Sequence, residues 1–125
     1  MKKSQNENLK KTILKYALSK KKAVSEFPFD EETEVIKVMD KIFLLVNNEE
    51  PFEISLKCNP VKSIELRELF EFITPGYHLN KKHWITVTVN RSMPIEFFFE
   101  LIDHSYAEVV KKLTKVKKEE LLELA

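Results

Sequence analysis

Apolar and polar residues along this chain follow two periods, and the switches between them mark out its elements. Leu9, Ile13, Tyr16 and Ala17 recur at helical spacing, which predicts an amphipathic helix over about residues 5–20 with lysines on its outer face. The stretch AVSEFPFDEET, containing Pro28, reads as a loop. Val35 to Met39 and Ile42 to Val46 read as two strands joined tightly at Asp40-Lys41. After the turn NNEEP, Phe52, Ile54, Leu56 and Cys58 alternate with Glu53, Ser55 and Lys57, the pattern of a half-buried strand.

Asn59-Pro60 then offers an N-cap residue followed by proline at the first helical position. Leu66, Leu69, Phe70 and Ile73 set the buried face of this second helix, which must stop before Pro75. Trp84 to Asn90 is a further strand, with Ile85, Val87 and Val89 on one face and Trp84, Thr86 and Thr88 on the other. Met93-Pro94 opens a third helix, whose wide apolar stripe comprises Ile95, Phe98, Phe99, Ile102, Val109, Val110 and Leu113. Residues 117–125 either continue it or form a short helix of their own. The order α-β-β-β-α-β-α predicts an α+β fold, a two-layer sandwich with helices packed on one face of a largely antiparallel sheet.

A chain of 125 residues that is 43% hydrophobic closes one core, so a single domain over 1–125 is expected. The lone cysteine, Cys58, excludes an internal disulfide and suits a reducing compartment. The lysine-rich N-terminus lacks the apolar core of a signal peptide, and no apolar run approaches membrane-spanning length. A soluble cytoplasmic protein is expected. The net charge of +1 is unevenly spread. Residues 1–24 carry eight lysines and one glutamate, and residues 25–54 carry nine acids and two lysines. Residues 55–92 hold six basic and three acidic groups, and residues 93–125 five and seven. One basic and one acidic surface follow from this asymmetry.

The rare residues concentrate in Thr74 to Trp84, TPGYHLNKKHW, which holds the only glycine, the only tryptophan and two of the three histidines. Pro75-Gly76 fits the centre of a type II turn, with φ > 0 at the glycine. Such a fixed turn would present Tyr77, His78, Asn80, Lys81, Lys82, His83 and Trp84 together. Trp84 then either packs beneath the Pro75-Gly76 loop or forms a stacking platform at the edge of the open sheet face.

These segments, FEISLKCNP, the helix with LRELF, PGYHLNKKHWITV and MPIEFFFELIDHSYAEVVKKL, resemble the MmcQ/YjbR family over about residues 9–114, with residues 115–125 as a C-terminal helical extension. The resemblance implies a bacterial cytoplasmic protein with a frataxin/CyaY-like sandwich, of a kind usually described as DNA-binding.

The residues themselves give that function a physical basis. Lys81 and Lys82 beside Asn80, His78 and His83, with Lys57 on the polar face of its strand, suit phosphate neutralisation, and Asn80 or the aromatics suit base contact. Lys10, Lys11, Lys15 and the run Lys20 to Lys22 would extend the basic surface. Any one lysine taken alone is a solvated charge; the loop group stands out because its turn is fixed. With only Arg67 and Arg91 available to read guanine, DNA binding is expected to be phosphate-driven and weakly specific. The alternative is a protein-interaction or adaptor domain using the same surface, with Tyr77 and Trp84 as anchors.

Catalysis is not expected. Asp103-His104-Ser105 has triad residue types, but helical neighbours one and two apart do not face one another. One glycine cannot build a nucleotide-binding loop, and Cys58 reads as a core residue, so no cofactor is assigned. His78 and His83 lack a recognised metal-pair spacing, and the first helix is basic where frataxins carry acids, so no metal is assigned.

Overall fold

The computed structural model describes residues 2–49, 51–76, 79–90 and 92–123. The chain forms α1 (Lys2–Leu18), β1 (Ala23–Glu26), β2 (Thr33–Val38), β3 (Lys41–Asn47), β4 (Glu53–Lys57), α2 (Pro60–Leu69), β5 (Ile73–Pro75), β6 (Trp84–Thr88), α3 (Ile95–Lys111) and α4 (Lys115–Glu123). The six strands of the described residues make one antiparallel sheet in the order β1-β2-β3-β4-β6-β5. This is the expected α+β architecture, with two more strands than the hydrophobic pattern indicates.

Register explains why one face of the sheet carries the core. Ile36, Leu44, Leu56 and Ile85 are paired in succession across β2, β3, β4 and β6. One step along, Val46, Ile54, Val87 and Ile73 do the same across β3, β4, β6 and β5. Because side chains of paired residues share a face, these two rows form one apolar floor, and all eight are buried. Onto it α3 presses Phe98, Leu101, Ile102 and Val109, while α1 adds Ile13 and Ala17. The opposite face shows the alternate residues: Leu45, Ser55, Thr86 and Thr74 in one row, and Asn47, Glu53 and Thr88 in the next.

Four expectations need correction. AVSEFPFDEET is not all loop, since Ala23–Glu26 pairs with β2 as an edge strand. Three of its four residues are exposed, so it buries no alternate face that a periodic pattern would reveal. The hairpin turn lies at Met39-Asp40, one residue earlier than expected, with φ of 49° and 68°. Positive φ at both central residues is the geometry that matches the twist of the strands it joins, and Val38 accordingly pairs with Lys41.

The second helix ends at Leu69. Its cap residue Phe70 is extended, Leu69 is exposed, and Ile73 is buried as part of β5 instead of on the helix. Finally, Gly76 does not adopt positive φ, and Pro75 is the last residue of β5. The type II turn is therefore absent.

The Asn59 cap is as expected: its Oδ1 accepts from the Val61 N–H at 2.9 Å and the Lys62 N–H at 3.3 Å. The C-terminal segment is a separate helix. The Thr114 hydroxyl accepts from the Lys117 N–H at 3.2 Å, and α4 docks through buried Leu121.

Candidate nucleic-acid interface

The glycine at position 76 has a packing reason. Its N–H donates to the Trp84 carbonyl at 2.9 Å, which brings the end of β5 hard against the start of β6. A Cβ at this position would lie 2.7 Å from the Trp84 Cβ, so only glycine lets the two backbones meet. Downstream, Asn80 shapes the approach to β6. Its Oδ1 accepts from the Lys82 N–H at 2.9 Å, and its carbonyl accepts from the His83 and Trp84 N–H groups at 3.2 and 3.0 Å. The His83 carbonyl in turn accepts from the Cys58 N–H at 2.8 Å. Asn80 is thus a turn-builder whose side-chain oxygen is already engaged.

The predicted site residues divide into groups. Lys57 and Trp84 are paired across β4 and β6, and the Lys57 ammonium lies over the indole at 6.0 Å from the ring centroid. Around them, Asp40, Lys41, Ile42, Val109 and Lys112 complete a concavity of about 400 Å³. Desolvation, then the Lys112 and Lys41 charges, hold the Lys57 ammonium below the usual lysine pKa. His83 joins the same field: desolvation, then Lys112, Lys82 and Lys57, lower its pKa. Lys81 instead leans back, donating to the Gly76 carbonyl at 3.2 Å. It lines a second trough with Thr74, Pro75 and Glu53. Tyr77 and His78 lie outside the described residues.

Trp84 itself is half-buried, its Cβ beneath Gly76 and its ring beside the Lys57 ammonium. Sequence reasoning missed Lys41 and Lys112. They are far apart in the chain, one opening β3 and the other at the C-terminal end of α3. Only the packing of α3 across β3 and β4 brings them to the same end of the molecule. Conversely, Lys20 and Lys21 are drawn into tertiary contacts. Lys20 pairs with Asp103 and lies over the Tyr16 ring at 5.0 Å. The Lys21 ammonium reaches the Leu122 carbonyl at 3.2 Å.

The Asp103-His104-Ser105-Tyr106 run fastens α3 to its surroundings. Asp103 accepts from the Tyr16 hydroxyl at 2.6 Å, and His104 Nε2 accepts from the Asn59 N–H at 3.1 Å. Ser105 donates to the Phe43 carbonyl at 2.5 Å and accepts from the Lys57 N–H at 2.9 Å. Tyr106 donates to the Lys21 carbonyl at 2.8 Å. Four successive residues therefore tie one helix to α1, β3, β4, the start of α2 and the segment before β1. Cys58 is buried, and burial pushes its thiol up to about 11. Among the described residues, no group of three or more His, Cys, Asp or Glu side chains could hold a metal ion. No helix of the described residues is long and apolar enough to cross a membrane.

The model of the YjbR family matches residues 18–108 of the chain. The chain belongs to this family. Its YjbR relatives include the uncharacterised protein YjbR of Escherichia coli K12, 34% identical over 113 residues, which cover 90% of this chain and 96% of that protein. The uncharacterised protein YbdF of Escherichia coli O157:H7 is 40% identical over 91 residues, covering 71% of this chain and 74% of the relative. A crystal structure of a Deinococcus radiodurans protein with a DUF419 domain superposes with a TM-score of 0.79 at 40% identity, covering 86% of this chain and 83% of that one.

Proposed function

We propose that this member of the YjbR family is a non-catalytic binder of duplex DNA in the bacterial cytoplasm, gripping the phosphate backbone with the basic end of its sheet. The observation that carries this reading is the convergence of Lys41, Lys57 and Lys112 on one concavity around Trp84, with Lys82 and His83 acting on the same field. Lysine ammonium groups supply point charges for phosphates and little base discrimination, so the binding is weakly sequence-specific. Opposing charge is limited. Asp40 lines the concavity, but the nearby Glu108 carboxylate is already paired with Lys111 at 3.0 Å.

The lysine-bearing end of the outer face suits phosphate better than its centre, where Asp30 and Glu53 stand. This narrows the surface: Lys41, Lys57, Lys82 and Lys112 contact phosphates around His83 and Trp84, Lys81 borders the contact, and Asn80 holds the turn that presents them.

Four lysine–phosphate contacts give a salt slope of roughly −3.6, hence about a hundredfold loss of affinity between 50 and 200 mM salt. Fluorescence anisotropy of a labelled duplex should show this linear dependence, and Lys82→Ala with Lys112→Ala should flatten the slope by about 2. Absence of binding at about 50 mM salt would sink the reading. The half-buried Trp84 in its concavity also favours a second reading, a protein partner anchored on the indole. A stoichiometric partner lost on Trp84→Ala, with no salt-dependent DNA binding, would select it.

A further inference from the structure

We infer that the centre of the outer sheet face is a separate binding site for a small organic cation with an apolar body. The surface there encloses about 430 Å³, within the roughly 300–1,000 Å³ typical of small-ligand pockets. Leu45, Ser55 and Thr86 lie side by side across β3, β4 and β6, and the Ser55 and Thr86 hydroxyls are hydrogen-bonded at 2.9 Å. Phe29 from the β1–β2 connection and Leu79 from the β5–β6 connection line the same space.

The charge of the lining selects the ligand. Its ionisable side chains are Asp30 and Glu53, and no lysine, arginine or histidine of the described residues lines it. Asp30 is held in place because its Oδ1 accepts from the Glu32 and Thr33 N–H groups at 2.9 and 2.7 Å. Glu53 forms no ion pair among the described residues. Beside these carboxylates Phe29 is 68% exposed. An aromatic face next to carboxylates attracts an alkylated ammonium, whose charge meets the ring and whose apolar body replaces water against Leu45 and Leu79. A phosphate or carboxylate ligand would instead meet two like charges. The site is therefore distinct in charge and place from the lysine end that takes DNA.

Benzyltrimethylammonium tests the inference against benzyl alcohol and benzenesulfonate, each titrated into the ¹⁵N-labelled full chain and followed by amide shifts. The ammonium should give saturable shifts at Leu45, Ser55 and Thr86, with a Kd near or below about 1 mM. Binding should be about two- to fivefold weaker for Phe29→Ala, the size of one exposed ring–cation contact, and also measurably weaker for Glu53→Gln and for benzyl alcohol, which lacks the charge. Phe29 is exposed and Glu53 is half-buried on the outer face, so both variants retain the core.

No saturation by about 10 mM, equal binding of benzenesulfonate, shifts centred elsewhere, or indifference to both substitutions would each overturn it. The ammonium should also leave the anisotropy of bound duplex unchanged, so either site can fail without the other.

Discussion

Gly76 and Trp84 approach so closely that a methyl group at residue 76 would stand 2.7 Å from the Trp84 Cβ, 3.1 Å from its carbonyl oxygen and 3.2 Å from the Leu79 Cβ. Gly76→Ala must therefore push β5 and β6 apart, although its φ is one that alanine can adopt. The expected loss is about 1–3 kcal/mol in urea unfolding, the usual scale of overpacking. Because the clash is with Cβ and backbone, the penalty should be undiminished in a Trp84→Ala background and smaller in Trp84→Gly. Relief by Trp84→Ala would show that the indole ring, and not the close backbone approach, excludes a side chain at 76.

Ser105 is the buried link between α3 and the sheet, bonding the Phe43 carbonyl and the Lys57 N–H through one hydroxyl. Ser105→Ala slightly raises helix propensity and keeps nearly the same volume but leaves two backbone groups without that partner. At about 1–3 kcal/mol for each orphaned group, a loss of about 2–6 kcal/mol is expected by chemical denaturation. A change below about 0.5 kcal/mol, the scale of ordinary surface substitutions, would mean that both groups find other partners.

Where burial repeats along the chain, the sequence is readable. Ile85, Val87 and Val89 are all buried and Asn59 caps its helix, as their pattern and residue types indicate. The unread parts lack such a repeat. β1 is an exposed edge, and β5 is three residues that complete the sheet only through pairing with β6. The hairpin turn puts Met39 as well as Asp40 at positive φ, and methionine, unlike aspartate, does not advertise that conformation.

The site was legible in the same uneven way. Lys57 and Trp84 could be placed on one polar face, but Lys41 and Lys112 join them only through tertiary topology. The rarity of glycine marks Gly76 as special, but the reason is close approach to Trp84 and not the backbone freedom that a Pro-Gly pair suggests.

His104 makes stability depend on pH. Its Nε2 accepts a backbone hydrogen bond from Asn59, and burial, then Lys62, hold its pKa below the ordinary value of 6.5. Glu108 opposes the shift, and Lys111 adds to it. The unfolded chain thus takes up this proton at higher pH than the folded chain does. Stability from this group is complete above pH 6.5 and falls as the pH drops below it toward the folded pKa. The ring is partly exposed, so solvent screening limits the effect to a few tenths of a kcal/mol. Thermal melts from about pH 7.5 to 5.5 should show a decline in Tm that His104→Ala reduces. An unaltered pH profile in the variant would place the titration elsewhere.

His83 gives the DNA reading a signature that salt alone does not. In the free protein desolvation, then Lys112, Lys82 and Lys57, hold it below the ordinary 6.5, with Glu108 acting the other way. A phosphate seated among those lysines replaces repulsion by attraction, so the His83 pKa rises on binding. A group with the higher pKa in the complex takes up a proton as the complex forms. Its contribution to affinity is fully present below the free-protein pKa and is lost as pH rises through the bound-state pKa. Duplex affinity at fixed salt should therefore strengthen between about pH 8 and 6, by less than tenfold per pH unit for a single proton.

His83→Gln should flatten this pH profile while leaving the salt slope near its wild-type value at pH 8, where the imidazole of the free protein is neutral. His78, in the same connection, provides the discriminating variant. A profile kept by His83→Gln and lost by His78→Gln would assign the proton to the other ring, and a flat wild-type profile would mean that no phosphate comes close to His83.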